Sequence, residues 1–311
     1  MNFARARIEA HNQWPKITQF QGEEKFARQL SLNGGVAPFQ PIPISTNDDH
    51  EYQRCVGHFL DALDQIPNRP DYAFDHFYRV IDKGGSALFP DQGNKGIAQG
   101  LGKKFLAHNR LLWESVIDSL CISMPLRTLE FLAKRVLAAE PLAPEPNKAL
   151  HNRAQNAFGQ RFHSAFIRKY TCNELGFPIA DAANASRTDA AKLLKLYMSG
   201  KAGTRTKTGV DPALDLTAPT NVPDHARRFE VMLSLLLFTI RNERAHGITI
   251  SPFRTSKSSI DRYESYYYTM LLAYVVSLGV LEFRFSCVTP SDLLDGCITN
   301  IQIQKSFFSA V

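Results

Sequence analysis

The sequence predicts a mainly α protein, and three observations carry that prediction. Apolar residues recur at helical spacing through most of the chain. Proline and glycine clusters cut these runs into lengths typical of helices. No βαβ rhythm and no internal repeat interrupts them, and only Ile298 to Ile303 alternates apolar with polar residues as one short strand would.

The first 50 residues read as irregular, because Gly34-Gly35 and then Pro38, Pro41 and Pro43 break any regular element. Asn47-Asp48-Asp49 offers a helix start, and Tyr52, Cys55, Val56, Phe59, Leu60 and Leu63 follow at helical spacing until Pro67 and Pro70. Tyr72 to Ile81 carries Phe74, Phe77, Tyr78 and Ile81 on a second helix that ends at Gly84-Gly85. A glycine-rich interval follows through Gly93, Gly96, Gly100 and Gly102. Its Gly100-Leu101-Gly102-Lys103-Lys104 lacks both the GxxxxGK[ST] spacing and the preceding strand of a phosphate loop.

Phe105 to Leu120 and Leu126 to Ala139 read as two further helices. Pro141, Pro144 and Pro146 mark a linker and divide the chain into an N-terminal helical region, residues 1–147, and a second helical domain, residues 148–311. From Lys148 the pattern is helical again, breaks at Gly176-Phe177-Pro178, and resumes from Ser186 to Met198. Ser199 to Pro223 has the composition of an exposed loop. Pro223-Asp224 suits a helix N-terminus, and the apolar run Val231 to Ile240 anchors that helix in a core. Ile248 to Ser259 is a Ser/Thr-rich loop before a last long helix, Ile260 to Phe285. The tyrosines of that helix, Tyr263, Tyr266, Tyr267, Tyr268 and Tyr274, are read as packing groups rather than base-stacking platforms.

Composition narrows the function classes. The 311 residues carry a formal net charge of +6 and are 44% hydrophobic, enough to bury a substantial core. The charge is uneven: Lys148 to Thr208 holds 11 Lys or Arg against 3 Asp or Glu, so the remainder sums to −2. That asymmetry suits an anionic partner, nucleic acid above all. The five cysteines are dispersed without a CxxC pair, which fits a reducing cytoplasm. No HxxxH or HExxH spacing suggests a metal, no cofactor is expected, and the N-terminus does not read as a secretory signal. Ser265 to Leu281 is uncharged, but it is shorter than the roughly 20 residues a membrane span needs and is read as a buried core helix.

Most of the chemistry is concentrated in Arg241-Asn242-Glu243-Arg244-Ala245-His246, followed by Gly247. At about 100° per residue, Asn242 lies roughly 100° and His246 roughly 140° around the helix from Arg241, and Ala245 between them is too small to screen either. A permanent cation, an amide and a group that titrates near neutral pH thus share one wide face and can approach one phosphate. A loose Arg-to-His spacing also occurs at Arg5 to His11 and Arg69 to His76. The later match differs in its Asn242, its apolar anchor and its Gly247, a natural C′ residue. The plain structural alternative is a helix end with cations near the negative pole of its dipole.

Arg, a polar residue, three more residues and His, late in an apolar helix, resembles the motif of the HEPN superfamily. Many of those proteins are metal-independent ribonucleases of toxin–antitoxin, abortive-infection and other defence systems. The resemblance covers about Pro223 to Phe285 and implies a helical bundle of HEPN type with an additional N-terminal helical region. It implies a homodimer with two motif helices facing across a composite cleft, walled by the basic helices and the Ser199 to Pro223 loop. It further implies that Arg241 holds the scissile phosphate, His246 moves protons at the 2′-hydroxyl or the leaving oxygen, and Asn242 orients both. Glu243 and Arg244 are expected to point elsewhere. Arg161, Arg168, Lys169 and, more weakly, Arg227, Arg228 and Arg244 are the candidate RNA contacts. The expected partners are RNA, a second copy and an antitoxin or defence-system protein, in the cytoplasm and not in a membrane. The alternative is a HEPN module that binds RNA or protein without cutting.

Overall fold

The computed structural model describes residues 3–139, 147–201 and 211–309. Among them the secondary structure is helical, apart from one isolated bridge between Cys172 and Pro178. The prolines 141, 144 and 146, expected to form a linker, and residues 202–210 of the expected loop lie outside the described residues. The chain packs into two compact units: Met1–Gly84 with Arg241–Val311, and Gly85–Ile240. The sequence boundary at 147/148 falls inside the second of these.

The first unit contains helices α1 (Phe3–Asn12), α2 (Gln21–Leu32), α3 (His50–Leu63), most of α4 (Pro70–Ser86), the end of the motif helix, and two long helices that close the chain. The expectation of an irregular N-terminus is corrected by α1 and α2. Phe20 and Glu23 show why α2 starts where it does: the Glu23 carboxylate accepts the Phe20 backbone N–H at 2.8 Å, half of a capping box. Gly34 and Gly35, both at positive φ, end the segment that follows. Asp49 caps α3 as the sequence predicted, accepting from the N–H groups of Glu51 and Tyr52.

The long apolar helix Ile260–Phe285 (α14 in chain order) organises the core of this unit. By length and composition it could cross a membrane, yet 83% of its most apolar window is buried within the protein, in line with the core-helix reading. Its tyrosines pack as expected. Tyr263 stacks between Phe26 and Phe253, with ring centroids 4.1 and 3.9 Å away, and Tyr274 meets Phe39, Phe59 and Phe77. Two of the buried hydroxyls are tied to the backbone: Tyr267 donates to the Pro67 carbonyl at 2.6 Å, and Tyr274 accepts the Ile42 N–H at 2.7 Å. The final helix, Pro290–Ser309 (α15), replaces the expected strand at Ile298 to Ile303. The side chains of Cys297, Asn300 and Gln304 are buried at spacings of three and four, a helical stripe that the local alternation concealed. Asn300 exchanges two hydrogen bonds with the backbone of Gln40 and so ties down the proline-rich segment.

The second unit holds α5 (Gly93–His108), α6 (Arg110–Ser123), α7 (Leu126–Ala138), α8 (Asn147–Phe158), α9 (Gln160–Thr171), the short α10 (Ala182–Ala185), α11 (Arg187–Ser199) and α12 (His225–Glu230). The glycine-rich interval is helical. A methyl group on Gly100 would lie 2.5 Å from the Phe89 ring, and one on Gly102 would lie 2.7 Å from the Phe229 ring, so these glycines make room for aromatic packing. The predicted helix Phe105 to Leu120 is instead two helices, broken at Asn109, whose side chain caps α6 through the Leu112 N–H. The helix α4 ends at Ser86, one residue past the expected stop at Gly84-Gly85. Asp224 caps α12 where the sequence placed the helix start.

After α12 the apolar run Val231–Leu237 winds as a π-helix with every residue buried. Arg153 of α8 donates to the Ser234 carbonyl at 2.6 Å and lies over the Phe238 ring, supplying a donor where the wider winding opens the backbone. The α-helix α13, Phe238–Ala245, continues directly and carries the motif.

Candidate functional site

The end of α13 is a Schellman motif. The Gly247 N–H reaches the Arg244 carbonyl at 3.2 Å, the Ile248 N–H reaches the Glu243 carbonyl at 2.9 Å, and Gly247 sits at φ 64°. His246 is the C-cap residue. It lies one position past the last helical residue, with its backbone N–H on the Asn242 carbonyl at 3.0 Å and its side chain exposed.

Arg241 and Asn242 are brought together: the Arg241 Nη1 donates to the Asn242 Oδ1 at 3.1 Å. The second guanidinium nitrogen, Nη2, donates to the Asp82 Oδ2 of α4 at 3.1 Å, and the Tyr78 ring lies alongside, 6.0 Å from the Arg241 Cζ to its centroid. Burial pushes the Asp82 carboxyl above the usual carboxylate range, and the adjacent Arg241 opposes that shift. A cavity of about 250 Å³ opens here, lined by Asp75, Tyr78, Arg79, Asp82, Arg241, Arg244 and Ala245. His246 is not among the lining residues.

Arg244 does not point elsewhere, as the sequence reading expected. Three residues along a helix is about 60° from Arg241, so the two arginines are neighbours and share the cavity wall. Arg244 is a well-anchored cation: its Nε and Nη2 reach Asp75 at 2.8 and 2.6 Å, and its Nη1 reaches Asp71 at 3.1 Å. Asp71 is fully buried and also takes both prongs of Arg69, at 2.9 and 2.7 Å. With 11% of its side chain exposed and its donors turned to two carboxylates, Arg244 is an internal tie rather than a surface RNA contact. The three aspartates were not singled out in the sequence. A hint was available in their spacing, since 71, 75, 78 and 82 follow one helical stripe.

The other nominated cations lie in the second unit and divide sharply. Arg228 is 2% exposed, donates to Asp118 at 2.7 Å and reaches the Met198 carbonyl at 3.4 Å, so its nomination as an RNA contact is corrected to a buried guanidinium paired with a half-exposed carboxylate. Arg161, Arg168, Lys169 and Arg227 are exposed. Arg168 pairs with Asp211, and Lys169 lies over the Tyr170 ring. Arg161 and Arg227 line a cleft of about 420 Å³ together with Asn221, Phe162 and Tyr197. Arg227 also reaches the Phe158 carbonyl at 3.4 Å, and burial holds the Tyr197 hydroxyl well above the usual tyrosine range.

The sequence showed no metal-ligand spacing, but folding gathers His58, Asp61 and His76 in the first unit, with one donor atom from each lying within 4.8 Å of the others. Comparison with known proteins finds no matching family model, no similar curated protein and no similar solved structure.

Proposed function

We propose that this chain is a metal-independent endoribonuclease of HEPN type, acting in a toxin–antitoxin, abortive-infection or antiviral defence setting. The observation that carries the reading is the Arg241–Asn242 pair, held by Asp82 at a cavity wall one turn before an exposed histidine. Arg241 binds the scissile phosphate and meets the charge that develops on it. The ribose 2′-oxygen attacks phosphorus and the bond to the 5′-oxygen breaks. One proton leaves the 2′-hydroxyl and one reaches the leaving oxygen, giving a cyclic phosphate and a free 5′-hydroxyl. His246 moves a proton in this exchange, and its exposure leaves it accessible to substrate. A second copy of the motif would add another cation and another proton carrier, the basis for a working homodimer. The exposed Arg161, Arg168, Lys169 and Arg227 supply affinity for the RNA backbone.

The test is incubation of purified protein with mixed RNA in EDTA, with product ends identified. Cyclic phosphate ends are expected, and His246→Ala should slow cleavage by roughly 10²–10⁴-fold while leaving the fold intact. Undiminished cleavage by the folded variant would remove His246 from the chemistry.

A specific observation favours a second reading, a HEPN module that binds RNA or a protein without cutting. Arg241 is already charge-paired with Asp82, and among the described residues no acceptor orients the His246 ring. On that reading RNA is retained uncut, and Arg241→Ala lowers affinity alone.

A further inference from the structure

His58 and Asp61 lie three residues apart on α3, so both project from one face of that helix. His76 projects from α4 toward the same point. The Nδ1 atoms of both histidines face one oxygen, the Asp61 Oδ2, at 3.7 Å from His58 and 3.4 Å from His76. Those separations are too long for ordinary hydrogen bonds, which fall at about 2.7–3.2 Å. Both Nδ1 atoms are inaccessible to solvent, and neither has a hydrogen-bond partner among the described residues. Two buried ring nitrogens aimed at one carboxylate oxygen, without bonding it, leave polar atoms unsatisfied at a cost.

The spacing has a direct chemical account. Ligands bonded to a tetrahedral zinc ion at about 2.0–2.1 Å lie roughly 3.3–3.4 Å from one another. The two His–Asp61 separations, 3.7 and 3.4 Å, are close to that spacing, all three donors lie within 4.8 Å of one another, and two imidazoles with one carboxylate form a ligand set that suits divalent ions of intermediate softness. We propose that His58, Asp61 and His76 bind one divalent transition ion of the zinc class, which cross-links α3 to α4. Asp61 is 57% exposed, so the remaining coordination position faces water. The ion lies apart from the Arg241 cavity, whose lining includes none of these three residues, and its role is to hold α4, the helix that carries Asp71, Asp75 and Asp82. The proposal does not depend on RNA cleavage, which is assayed in chelator.

The experiment uses the full, tag-free chain, stripped with chelator and then titrated with Zn2+ by calorimetry and with Co2+ by visible absorption. One equivalent of Zn2+ is expected to bind, Co2+ should develop the intense ligand-field bands of four-coordinate cobalt, and Zn2+ should raise the melting temperature by several degrees. His58→Ala and His76→Ala should each weaken binding at least tenfold and abolish the thermal shift. Asp61→Asn, an isosteric change at an exposed position, should do the same without disturbing the fold. Absence of saturable binding to the unaltered chain overturns the proposal. So does unchanged affinity and an unchanged cobalt spectrum in Asp61→Asn, which would place the ion elsewhere.

Discussion

Arg244 and Arg241 are three residues apart on one helix, yet the structure gives them opposite sensitivities. Arg244→Ala removes a side chain that is 11% exposed, together with its bonds to Asp75 and Asp71. Deleting one partner of a buried ion pair costs about 3–5 kcal/mol when the other charge is stranded. Here neither aspartate is fully stranded: Asp71 keeps both bonds to Arg69, and Asp75, 30% exposed, regains water. The expected loss is therefore below that range, about 2–3 kcal/mol. Asp71→Ala should cost more, about 3–5 kcal/mol, because Arg69 then loses its carboxylate partner inside the fold. Arg241→Ala removes a guanidinium that is 32% exposed and should cost about 1 kcal/mol. Urea unfolding followed by far-UV circular dichroism measures all three, and the Arg244→Ala/Asp71→Ala double variant should show a coupling of at least about 0.5 kcal/mol. RNA cleavage below the unfolding transition completes the comparison: Arg244→Ala should cut at a near-normal rate, and Arg241→Ala should not. If Arg244→Ala lay within about 0.5 kcal/mol of the unaltered protein while losing RNA affinity, the assignment of Arg244 as an internal tie would be refuted.

Other measurements address the remaining parts of the site. The folded-state pKa of Asp82 is raised by burial, so between its ordinary and its raised value the folded state holds more protons than the unfolded one. Its contribution to stability is present at low pH and is lost as pH rises through the raised value. Melting temperatures from about pH 3 to 7 should therefore show a pH-dependent gap between the unaltered chain and Asp82→Asn, and Arg241→Ala should move that loss to higher pH; a gap that does not vary with pH would contradict this. Neutralising Arg161, Arg168 and Lys169 together should flatten the salt dependence of RNA binding, lowering the log–log slope by at most roughly 2, while the single-turnover rate at saturating RNA is retained. Abolition of that rate would move these residues into the chemistry. Sedimentation at micromolar concentration should give an even oligomer, and a strict monomer that still cuts RNA would contradict the composite site.

What the sequence determined by itself was local. Asp49, Asp224 and Gly247 mark helix ends because the groups they satisfy lie within a few residues of them, and the structure shows Asp49 and Asp224 capping and Gly247 closing its Schellman motif. The helix Ile260–Phe285 was also legible in composition and length, whereas its place in the core was decided by the packing that buries 83% of its most apolar window. Tertiary structure decided wherever a partner came from far along the chain. At Gly102 the ring of Phe229, distant in sequence, fills the space that the missing side chain leaves, a contact no local propensity contains. Residues 298–303 alternate locally, but burial of Cys297, Asn300 and Gln304 along one stripe selects the helix. Arg228 and Arg244 read as surface cations until Asp118, Asp75 and Asp71 arrive from more than 100 positions away. The gathering of His58, Asp61 and His76 depends in the same way on two helices meeting. A charge is written in the residue, but whether it faces solvent, a carboxylate or a ligand depends on what folds against it, and one helix does not encode its neighbours.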